Sequence, residues 1–349
     1  MRRLVLLPGD GVGPEVVAAA ASVLSAVAGR FGHEFSFDEH PIGGAALRRG
    51  LDPLPAATLR ACTGADAILL GAVGDPEFDG RPPGQRPESA LLQLRQKLQL
   101  YANLRPARVW PGLDAAGPLK PEVLRGTDML VVRELTGGLY YGEPRGIADD
   151  SAWNTLRYSR MEIDRIARVA FDAARRRRGR VTSVDKANVL ETSRLWRQVV
   201  LEVARDYPDI ALDHMYVDAC AMKIALAPAS FDVIVTENLF GDILSDEAGA
   251  IVGSLGLLPS ASIGVGTGLF EPVHGSAPDL AGKDAANPVA TILSAAMLLR
   301  HALHLETEAV AVERAVADTI ASGIRTADLG GTATCREMAR AIADAVTPR

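Results

Sequence analysis

The chain has few cysteines, and their spacing argues against two kinds of cross-linked protein. Its 349 residues include three cysteines, Cys62, Cys220 and Cys335. Because they are widely spaced and odd in number, they predict neither a disulfide framework nor a zinc site. We expect each of them to be a small buried residue of a protein in a reducing compartment.

Long hydrophobic runs are also lacking. The apolar run that follows Arg2 and Arg3 ends at Pro8, which is too early for the core of a signal peptide. The longest late apolar stretch, 289–299, is followed by Arg300 and is well short of the ~20 residues that span a bilayer. The sequence has no internal repeat and no low-complexity tract. These features predict a cytoplasmic protein that does not associate with membranes.

The chain also lacks the excess of basic residues that nucleic-acid binders need. Its formal net charge is -6, whereas proteins that neutralise phosphates carry a surplus of positive charge. The cationic run 175–178 has a plainer explanation. The capping box Ser159-Arg160-Met161-Glu162 predicts the start of a helix and Gly179 its end, so the arginines complement the negative end of the helix dipole. We therefore expect no nucleic-acid partner.

What the chain does have is a hydrophobic fraction of 48% and an alternation of apolar strands with helical segments. This alternation is typical of an α/β protein whose largely parallel sheets are flanked by helices on both faces. The length predicts two domains. The proline-rich stretch 106–121 is interpreted as a crossover between them, and the glycines and aromatics of 135–158 indicate a β-hairpin arm that reaches a second subunit. Strands are predicted at 3–7, 67–70, 181–184 and 231–235, and helices at 14–28 and 91–100.

Three aspartates are candidate metal ligands. Asp242 and Asp246 lie in NLFGDILSDEAG about one helical turn apart, so their carboxylates should point the same way. Asp218, in HMYVDACAMK, would add a third carboxylate from a separate element. Such an all-oxygen set suits Mg²⁺ or Mn²⁺ better than Zn²⁺. A solvated acidic helix face is the plainer alternative, but the preceding FDVIVTEN predicts a buried strand, and α/β proteins bind ligands where strands end.

Two glycine-rich segments are candidates for nucleotide binding. The opening GDGVGPE follows a strand and precedes a helix, but it does not match G-x-G-x-x-G, so a tight strand-to-helix turn is the better interpretation. The late segment GTGLFEPVHGSAPDLAGKDAANP would let backbone amides approach a phosphate or adenine closely. Within it, His274, Asp279 and Asn287 offer polar contacts. Taken alone, this segment could equally be an ordinary long loop.

Three arginines, Arg95, Arg105 and Arg133, each stand beside apolar sequence. The planar guanidinium binds carboxylates with two parallel hydrogen bonds, so converging arginines would indicate a polycarboxylate substrate. Ordinary surface ion pairing is the alternative.

Lys186 follows a strand and Tyr140 lies in the predicted hairpin. A lysine beside a metal ion loses its proton more readily, and a tyrosine hydroxyl can donate to a developing enolate, although either residue alone is most often structural.

Six longer segments carry a family resemblance. They are PESALLQLRQKLQLYANLRP, VRELTGGLYYGEPRG, DKANVLETSRLWR, HMYVDACAM, NLFGDILSDEAG and GSAPDLAGKDAANP. Together they resemble the isocitrate/isopropylmalate dehydrogenase family of metal-dependent β-decarboxylating dehydrogenases, in particular its isopropylmalate-specific members. The similarity runs in order from PGDGVGPE to IRTADLGGT, so it covers nearly the whole chain. A plain metal-binding or nucleotide-binding module would leave Lys186 and Tyr140 without a role.

The resemblance implies a homodimer whose subunits each have two α/β domains, with an active site between the domains that is shared across the dimer interface. The first, cofactor-side domain would comprise 1–100 and 253–349. The second domain, 101–252, would carry the metal ligands, the dimer interface and the β arm.

The resemblance also implies a role for each candidate residue. Arg95, Arg105 and Arg133 would bind the carboxylates of the substrate. Asp242 and Asp246, with Asp218 of the second subunit, would bind Mg²⁺ or Mn²⁺. Lys186, also from the second subunit, would accept the hydroxyl proton, and Tyr140 would protonate the enolate after CO₂ leaves. Asn188 would contact the substrate or the nicotinamide.

Substrate and cofactor preference follow from further positions of the same pattern. Leu91 and Leu92, with Val189 of the second subunit, would form an apolar pocket, which favours 3-isopropylmalate over isocitrate. Tartrate, D-malate and homoisocitrate remain alternatives. Asp279 would accept hydrogen bonds from a ribose 2′-hydroxyl and repel a 2′-phosphate, which favours NAD⁺ over NADP⁺. The cofactor site would consist of Glu88, His274, Gly275, Ser276, Ala277, Pro278, Asp279 and Asn287.

One residue of the late segment departs from the family pattern. Asp284 stands where these proteins often have glycine after Gly-Lys. We expect it to add a negative charge near the cofactor.

Overall fold

The computed structural model describes residues 1–113 and 116–346. Asp114 and Ala115 of the predicted crossover, and 347–349 of the predicted first domain, lie outside the described residues. The strands are β1 (Arg2–Gly9), β2 (Phe35–Glu39), β3 (Ala67–Ala72), β4 (Leu100–Arg108), β5 (Asp128–Glu134), β6 (Gly146–Ala148), β7 (Ser151–Trp153), β8 (Arg180–Asp185), β9 (Ala211–Tyr216), β10 (Val233–Thr236), β11 (Pro259–Gly264) and β12 (Leu269–Pro272).

Helices follow most of these strands. They are α1 (Gly13–Phe31), α2 (Gly44–Leu47), α3 (Ala56–Thr63), α4 (Pro87–Lys97), α5 (Pro121–Leu124), α6 (Arg160–Arg175), α7 (Glu191–Ala204), α8 (Val217–Leu226), α9 (Asn238–Val252), α10 (Val289–His301), α11 (Glu306–Ala321) and α12 (Cys335–Val346). The predicted α/β class, with largely parallel strands flanked by helices, is confirmed.

The chain divides into two compact units. Unit 1 consists of 1–100, 110–116 and 253–349, and unit 2 consists of 101–109 and 117–252. The sequence-based boundaries place 110–116 in the second domain, whereas the described residues of this stretch, 110–113 and 116, belong to unit 1. Because β4 extends to Arg108 and pairs with β5, the predicted crossover begins later than residue 106.

Unit 1 contains the strand order β2-β1-β3-β12-β11. The pairs β1–β2, β1–β3 and β3–β12 are parallel, and β11 runs antiparallel to β12. Strand β3, AILLGA, is buried at every position, as expected for a parallel strand covered on both faces. Helix α1 packs against α12 and α10 and against the sheet. It is also long and apolar enough to span a membrane, but its larger aliphatic residues Val16, Val17, Val23, Leu24 and Val27 are buried in this domain.

Unit 2 contains the strand order β4-β5-β10-β8-β9. Strand β4 is antiparallel to β5, and the other pairs are parallel. Helices α6 and α9 pack against β5 and β10, and α7 packs against α6 and β8. Strands β6 and β7 form a separate antiparallel hairpin inside the predicted arm, so the hairpin is present, whereas its contact with a second subunit stays a prediction.

Local sequence signals set several of these boundaries. The predicted capping box begins α6, with both reciprocal hydrogen bonds present between Ser159 and Glu162. The helix ends at Arg175, and the turns that follow close at the predicted Gly179, which has a φ of 71° and whose N–H donates to the carbonyl oxygen of Ala174 at 3.0 Å. The predicted helix 91–100 spans 87–97 instead. The three cysteines are buried and unpaired, as predicted.

Candidate active site

The predicted site residues of unit 2 follow the carboxyl ends of parallel strands. Arg133 stands at the end of β5 and Asn238 starts the helix after β10. Lys186 follows β8, and Asp218 follows β9. Because β5, β10, β8 and β9 are parallel neighbours, their carboxyl ends lie along one edge of the sheet, where open α/β sheets bind ligands. The topology therefore gathers side chains that are far apart in sequence.

Asp242 and Asp246 both contact the guanidinium of Arg105. Nη1 of Arg105 lies 3.1 Å from Oδ1 of Asp246 and 3.4 Å from Oδ1 of Asp242. Nη1 of Arg133 also donates to Asp242 Oδ1. The prediction that the two carboxylates point the same way is confirmed, and Arg105 and Arg133 converge on this point.

Surface ion pairing does not describe these arginines. Arg133 is 2% exposed and Arg95 9% exposed. Arg95 lies in unit 1, where Nη2 donates to Glu271 Oε1 at 2.7 Å. Its Nε is buried and has no hydrogen-bond partner among the described residues. An unsatisfied buried donor is costly, so Arg95 offers a place for an anionic group.

Tyr140 belongs to the same cluster. Its hydroxyl donates to Oδ2 of Asp242 at 2.6 Å, and its ring centroid lies 5.5 Å from the guanidinium carbon of Arg133. Burial raises the pKa of Tyr140, and the bond to Asp242 raises it further. Burial also disfavours the charged form of Asp242, but Arg133, Tyr140 and Arg105 outweigh it, so the pKa of Asp242 is lowered. Asp242 is therefore a carboxylate at neutral pH.

The donor set at this point fits a hard divalent ion. The carboxylates of Asp242 and Asp246 already share one positive group, the guanidinium of Arg105. Both offer oxygen ligands, which Mg²⁺ and Mn²⁺ prefer. Asp218 lies elsewhere in the described chain, where Lys186 Nζ donates to its carboxylate. That contact lowers the pKa of Asp218. A third ligand from a second subunit stays a prediction.

A different group of possible metal ligands lies in unit 1. Within the described residues, ligand atoms of Glu15, Asp284 and Cys335 lie within 4.8 Å of one another. Burial raises the pKa of the Cys335 thiol to about 12. Asp284 has a positive φ of 55°, which suits the glycine of the family pattern. Because Arg336 Nε lies 2.8 Å from Asp284, the added negative charge is offset locally.

In unit 1, the loops after β1, β3 and β12 meet at one sheet edge for the same topological reason. The carboxylate of Asp10 accepts hydrogen bonds from the backbone of Gly44, Ala45 and Gly74 at 2.7–2.9 Å. The opening GDGVGPE is thus a tight strand-to-helix turn, as predicted. A Cβ added at Gly11 would lie 1.9 Å from the carbonyl oxygen of Ser276. Only glycine allows these two loops to approach so closely.

The predicted cofactor residues border this edge. A Cβ at Gly74 would lie 3.2 Å from Glu88 Oε1 and 3.5 Å from Ser276 Oγ. His274 Nε2 is buried without a partner in the described chain, and Asn287 caps α10 by accepting from Val289 N at 3.0 Å. Gly275, Ala277, Pro278 and Asp279 are exposed residues of the same segment. Glycines, an orphaned polar atom and an exposed loop fit a nucleotide.

The three predicted pocket residues are divided between the units. Leu91 packs against the core of unit 1, and Leu92, one residue later on α4, is 43% exposed. Val189 follows β8 in unit 2 and is 62% exposed, next to the exposed Asn188. Leu92 and Val189 thus expose apolar surface beside site residues.

Sequence reasoning missed the residues that hold these arginines. Asn103 accepts from Arg105, Asn238 accepts from Arg133, and Glu271 pairs with Arg95. Two signals could have found the asparagines. Asn103 is two residues from Arg105 on one strand face, and Asn238 is one helical turn before Asp242. Nothing in the spacing indicates Glu271, which is 176 residues from Arg95.

Comparison with known proteins agrees with this geometry. The chain is 58% identical to 3-isopropylmalate dehydrogenase of Gloeobacter violaceus and 57% identical to that of Bacillus subtilis, in each case over 94% of this chain and 92% of the relative. The crystal structure of isocitrate dehydrogenase from Methylococcus capsulatus matches with a TM-score of 0.89 and 40% identity over 100% of both chains. The family model for isocitrate/isopropylmalate dehydrogenase matches residues 3–342. This chain therefore belongs to the isocitrate/isopropylmalate dehydrogenase family, whose members are dehydrogenases that act on small molecules with a nucleotide cofactor and a divalent metal ion.

Proposed function

We propose that this chain oxidises and decarboxylates (2R,3S)-3-isopropylmalate to 4-methyl-2-oxopentanoate and CO₂ in leucine biosynthesis, with NAD⁺ as the hydride acceptor. The observation that carries the proposal is the convergence of Arg105, Arg133 and Tyr140 on Asp242. Anion-binding groups, a metal ligand and a proton donor are all needed for this reaction. The names of relatives that are 57–58% identical support the choice of substrate.

Asp242 and Asp246, with Asp218 of a second subunit, are the proposed ligands of Mg²⁺ or Mn²⁺. When bound, the ion supplies Lewis acidity to the substrate hydroxyl and carbonyl, and the nicotinamide supplies the hydride acceptor. The arginines bind and orient the two carboxylates of the substrate. Lys186 Nζ accepts the hydroxyl proton, and Tyr140 delivers a proton to the carbon that loses CO₂. The raised pKa of Tyr140 keeps its proton in place until the enolate forms.

The isopropyl group is proposed to contact Leu91 and Leu92, with Val189 of the second subunit. Isocitrate carries a charged carboxylate at that position, and moving a charge onto apolar side chains is costly. The pocket therefore favours an alkyl malate.

The cofactor is proposed to bind to unit 1, with its adenosine half along 274–287 and Glu88 near the nicotinamide ribose. Unit 1 is then the cofactor domain, and unit 2 is the metal-binding and dimerisation domain. We propose a cytoplasmic homodimer in which Lys186, Val189 and Asp218 serve the active site of the second subunit.

The decisive test is steady-state NADH production with isopropylmalate, isocitrate, D-malate, tartrate and homoisocitrate, each with and without EDTA. Isopropylmalate should give the highest kcat/KM, and EDTA should abolish its turnover. A large preference for isocitrate would overturn the pocket argument. Full activity after exhaustive chelation would overturn the metal site.

Replacing Lys186 with Met should lower kcat by roughly 10²–10⁴-fold, which is the usual contribution of a general base. NADH binding, followed by its fluorescence, should stay within error of wild type because Lys186 does not belong to the cofactor loop. Near-normal turnover would remove Lys186 from its role as base.

Replacing Asp279 with Lys should erode the preference for NAD⁺ over NADP⁺. The exposed carboxylate would no longer repel a 2′-phosphate, and the ammonium would attract it. The measurement is the ratio of kcat/KM for the two cofactors, with Lys283→Met as a control on the same loop. An unchanged ratio would place the discrimination elsewhere.

A further inference from the structure

A cleft in unit 1 is lined by none of the residues proposed for catalysis or substrate binding. It has a volume of about 650 Å³ and lies between α1, α12 and the loop that joins β12 to α10. Glu15, Asp284 and Cys335 line it, and ligand atoms of these three residues lie within 4.8 Å of one another. The cleft therefore contains a group of possible metal ligands outside the candidate active site.

Backbone hydrogen bonds already hold these three residues together. The N–H of Gly282 donates to Oε1 of Glu15, and the N–H of Cys335 donates to the carbonyl oxygen of Asp284 at 2.9 Å. Neither bond uses Oε2 of Glu15 or Sγ of Cys335. The first turn of α1, the loop and the start of α12 are thus in place without an ion, which lowers the cost of ordering a site when one binds.

Two of the three ligand groups have no partner in the described part of the chain. Oε2 of Glu15 is buried and has no hydrogen-bond partner there. Cys335 is 1% exposed, and its thiol forms neither a disulfide nor a hydrogen bond with another described residue. A buried oxygen without a partner is costly, so a cation bound between these groups would remove an unfavourable feature of unit 1.

Asp284 is the third ligand group, and it is the residue that departs from the family pattern. Its carboxylate accepts from Nε of Arg336 at 2.8 Å and from the backbone N–H of Arg336 at 3.1 Å. The side chain of Arg336 is 86% exposed. An ion pair this exposed contributes little to stability, so the guanidinium can turn into solvent when a metal ion takes its place.

The mixture of ligand atoms selects the ion. A thiolate with two carboxylates suits Zn²⁺, whereas Mg²⁺ and Ca²⁺ prefer oxygen ligands alone. Burial raises the pKa of the Cys335 thiol to about 12, so Zn²⁺ would displace the thiol proton to solvent and coordinate the thiolate. Three protein ligands leave a fourth position for water from the cleft. The cysteine spacing does not indicate this site, because its other two ligands are acids.

We propose that Glu15, Asp284 and Cys335 form a Zn²⁺ site that joins α1, the loop after β12 and α12. This inference goes beyond the proposed function, because neither the substrate nor the catalytic metal ion takes part in it. The role of the site is to stabilise unit 1.

The test uses Co²⁺ as a spectroscopic substitute for Zn²⁺ in the reduced, full-length protein after chelation and removal of the chelator. Excess Mg²⁺ is present to occupy the proposed all-oxygen site of unit 2. A thiolate bound to Co²⁺ gives a charge-transfer absorption in the near ultraviolet, which oxygen ligands do not give. One equivalent of Co²⁺ should produce this band, Zn²⁺ should displace it, and Zn²⁺ should raise the melting temperature.

Three variants test the ligands one at a time. Cys335→Ala should abolish the band. Glu15→Gln keeps an acceptor for the N–H of Gly282, and Asp284→Gly restores the family residue, which adopts the positive φ of 55° without strain. Both variants should therefore fold, and each should weaken Co²⁺ binding by at least about ten-fold, since even the residues that only support metal ligands contribute that much.

Two matched controls lie outside the cleft. Cys62→Ala removes another buried thiol, and Asp344→Asn removes an exposed acid of α12. Both should bind Co²⁺ as the wild type does. A wild type without the band, or a band that survives Cys335→Ala, would overturn the proposal. A band that needs Cys335 but is unaffected by Glu15→Gln and Asp284→Gly would overturn the ligand set. These measurements use no substrate, so their outcome is independent of the test of the proposed function.

Discussion

At the scale of single residues, the site depends on which buried polar side chains have partners that stabilise a charge and which do not. Asp242 remains ionised despite burial because two arginines and a tyrosine hydroxyl surround it. His274 shows the reverse situation, because burial lowers its pKa and its Nε2 has no partner in the described chain. Whether a buried polar group is charged depends on its contacts, which the sequence does not show.

The lowered pKa of His274 predicts a pH effect on stability. The unfolded chain protonates this histidine near pH 6.5, whereas the folded chain keeps it neutral to a lower pH. The unfolded state thus binds more protons between the two pKa values, so stability decreases as pH falls below about 6.5. His274→Gln should remove this part of the slope. The measurement is the free energy of urea unfolding of both proteins from pH 5 to 8, and parallel curves would contradict the assignment.

Some of the site could be predicted at this scale. Asp242 and Asp246 were predictable because helix geometry alone places them on one face. The pairing of Arg95 with Glu271 was not, since it joins residues whose proximity depends on the finished sheet of unit 1. Asn238 lay between these cases, because its spacing from Asp242 places it on the same face but does not show that it faces Arg133.

At the scale of elements, the approach of α9 to β5 decides where Arg133 can lie. A Cβ added at Gly241 would be 2.7 Å from Cγ of Arg133 and 2.8 Å from its Cβ. These atoms are near the backbone and cannot swing away as the end of a long side chain can. The glycine thus lets α9 pack directly on the stem of the arginine.

Gly241→Ala should therefore raise the KM for substrate. An alanine in a helix is normally more stable than glycine by about 0.5–1 kcal/mol, but here the steric conflict should cancel that gain. Gly29→Ala in α1 is the control, because nothing lies within 4 Å of the added Cβ, and it should raise the melting temperature. Calorimetry and steady-state kinetics measure both effects. A stabilised Gly241→Ala enzyme with normal KM would show that α9 has room to move.

Element boundaries were predictable where a local signal existed. The capping box set the start of α6, and the apolar runs located β1, β3, β8 and β10. The ends were less predictable. Helix α4 ends at Lys97 because Gln99 adopts a φ of 52° and the chain turns into β4, and no glycine or proline indicates that turn. Strand β4 includes Pro106 because its pairing with β5 outweighs a local preference for a loop.

At the scale of the whole molecule, unit 2 has an apolar surface on neighbouring helices α8 and α9. Met222 is 66% exposed, Leu226 is 70% exposed and Ile243 is 56% exposed. Contiguous exposed apolar side chains are typical of protein–protein interfaces. Lys186 and Asp218 belong to the same unit, and we propose that association through this surface brings them to the active site of a second subunit. The proposed homodimer gives this surface its partner.

Leu226→Asp should weaken the dimer and lower activity together. Burying an unpaired carboxylate at an interface is unfavourable, and a monomer would lack the lysine and aspartate of the second subunit. Analytical ultracentrifugation gives the mass, and kcat/KM is measured on the same sample. Val310→Asp, at a 48% exposed position of α11 in unit 1, should remain dimeric and active. A fully active Leu226→Asp monomer would contradict a shared active site.

The division of unit 1 between the two ends of the chain affects how the protein folds during synthesis. Strands β1, β2 and β3 leave the ribosome early, whereas β12, which pairs with β3, is made after all of unit 2. Unit 2 is almost continuous and can fold as soon as residue 252 has emerged. Until β12 has emerged as well, the apolar strand β3 has an unpaired edge, the kind of surface that joins other chains. A ribosome-bound chaperone would therefore be most needed between the translation of β3 and that of β12.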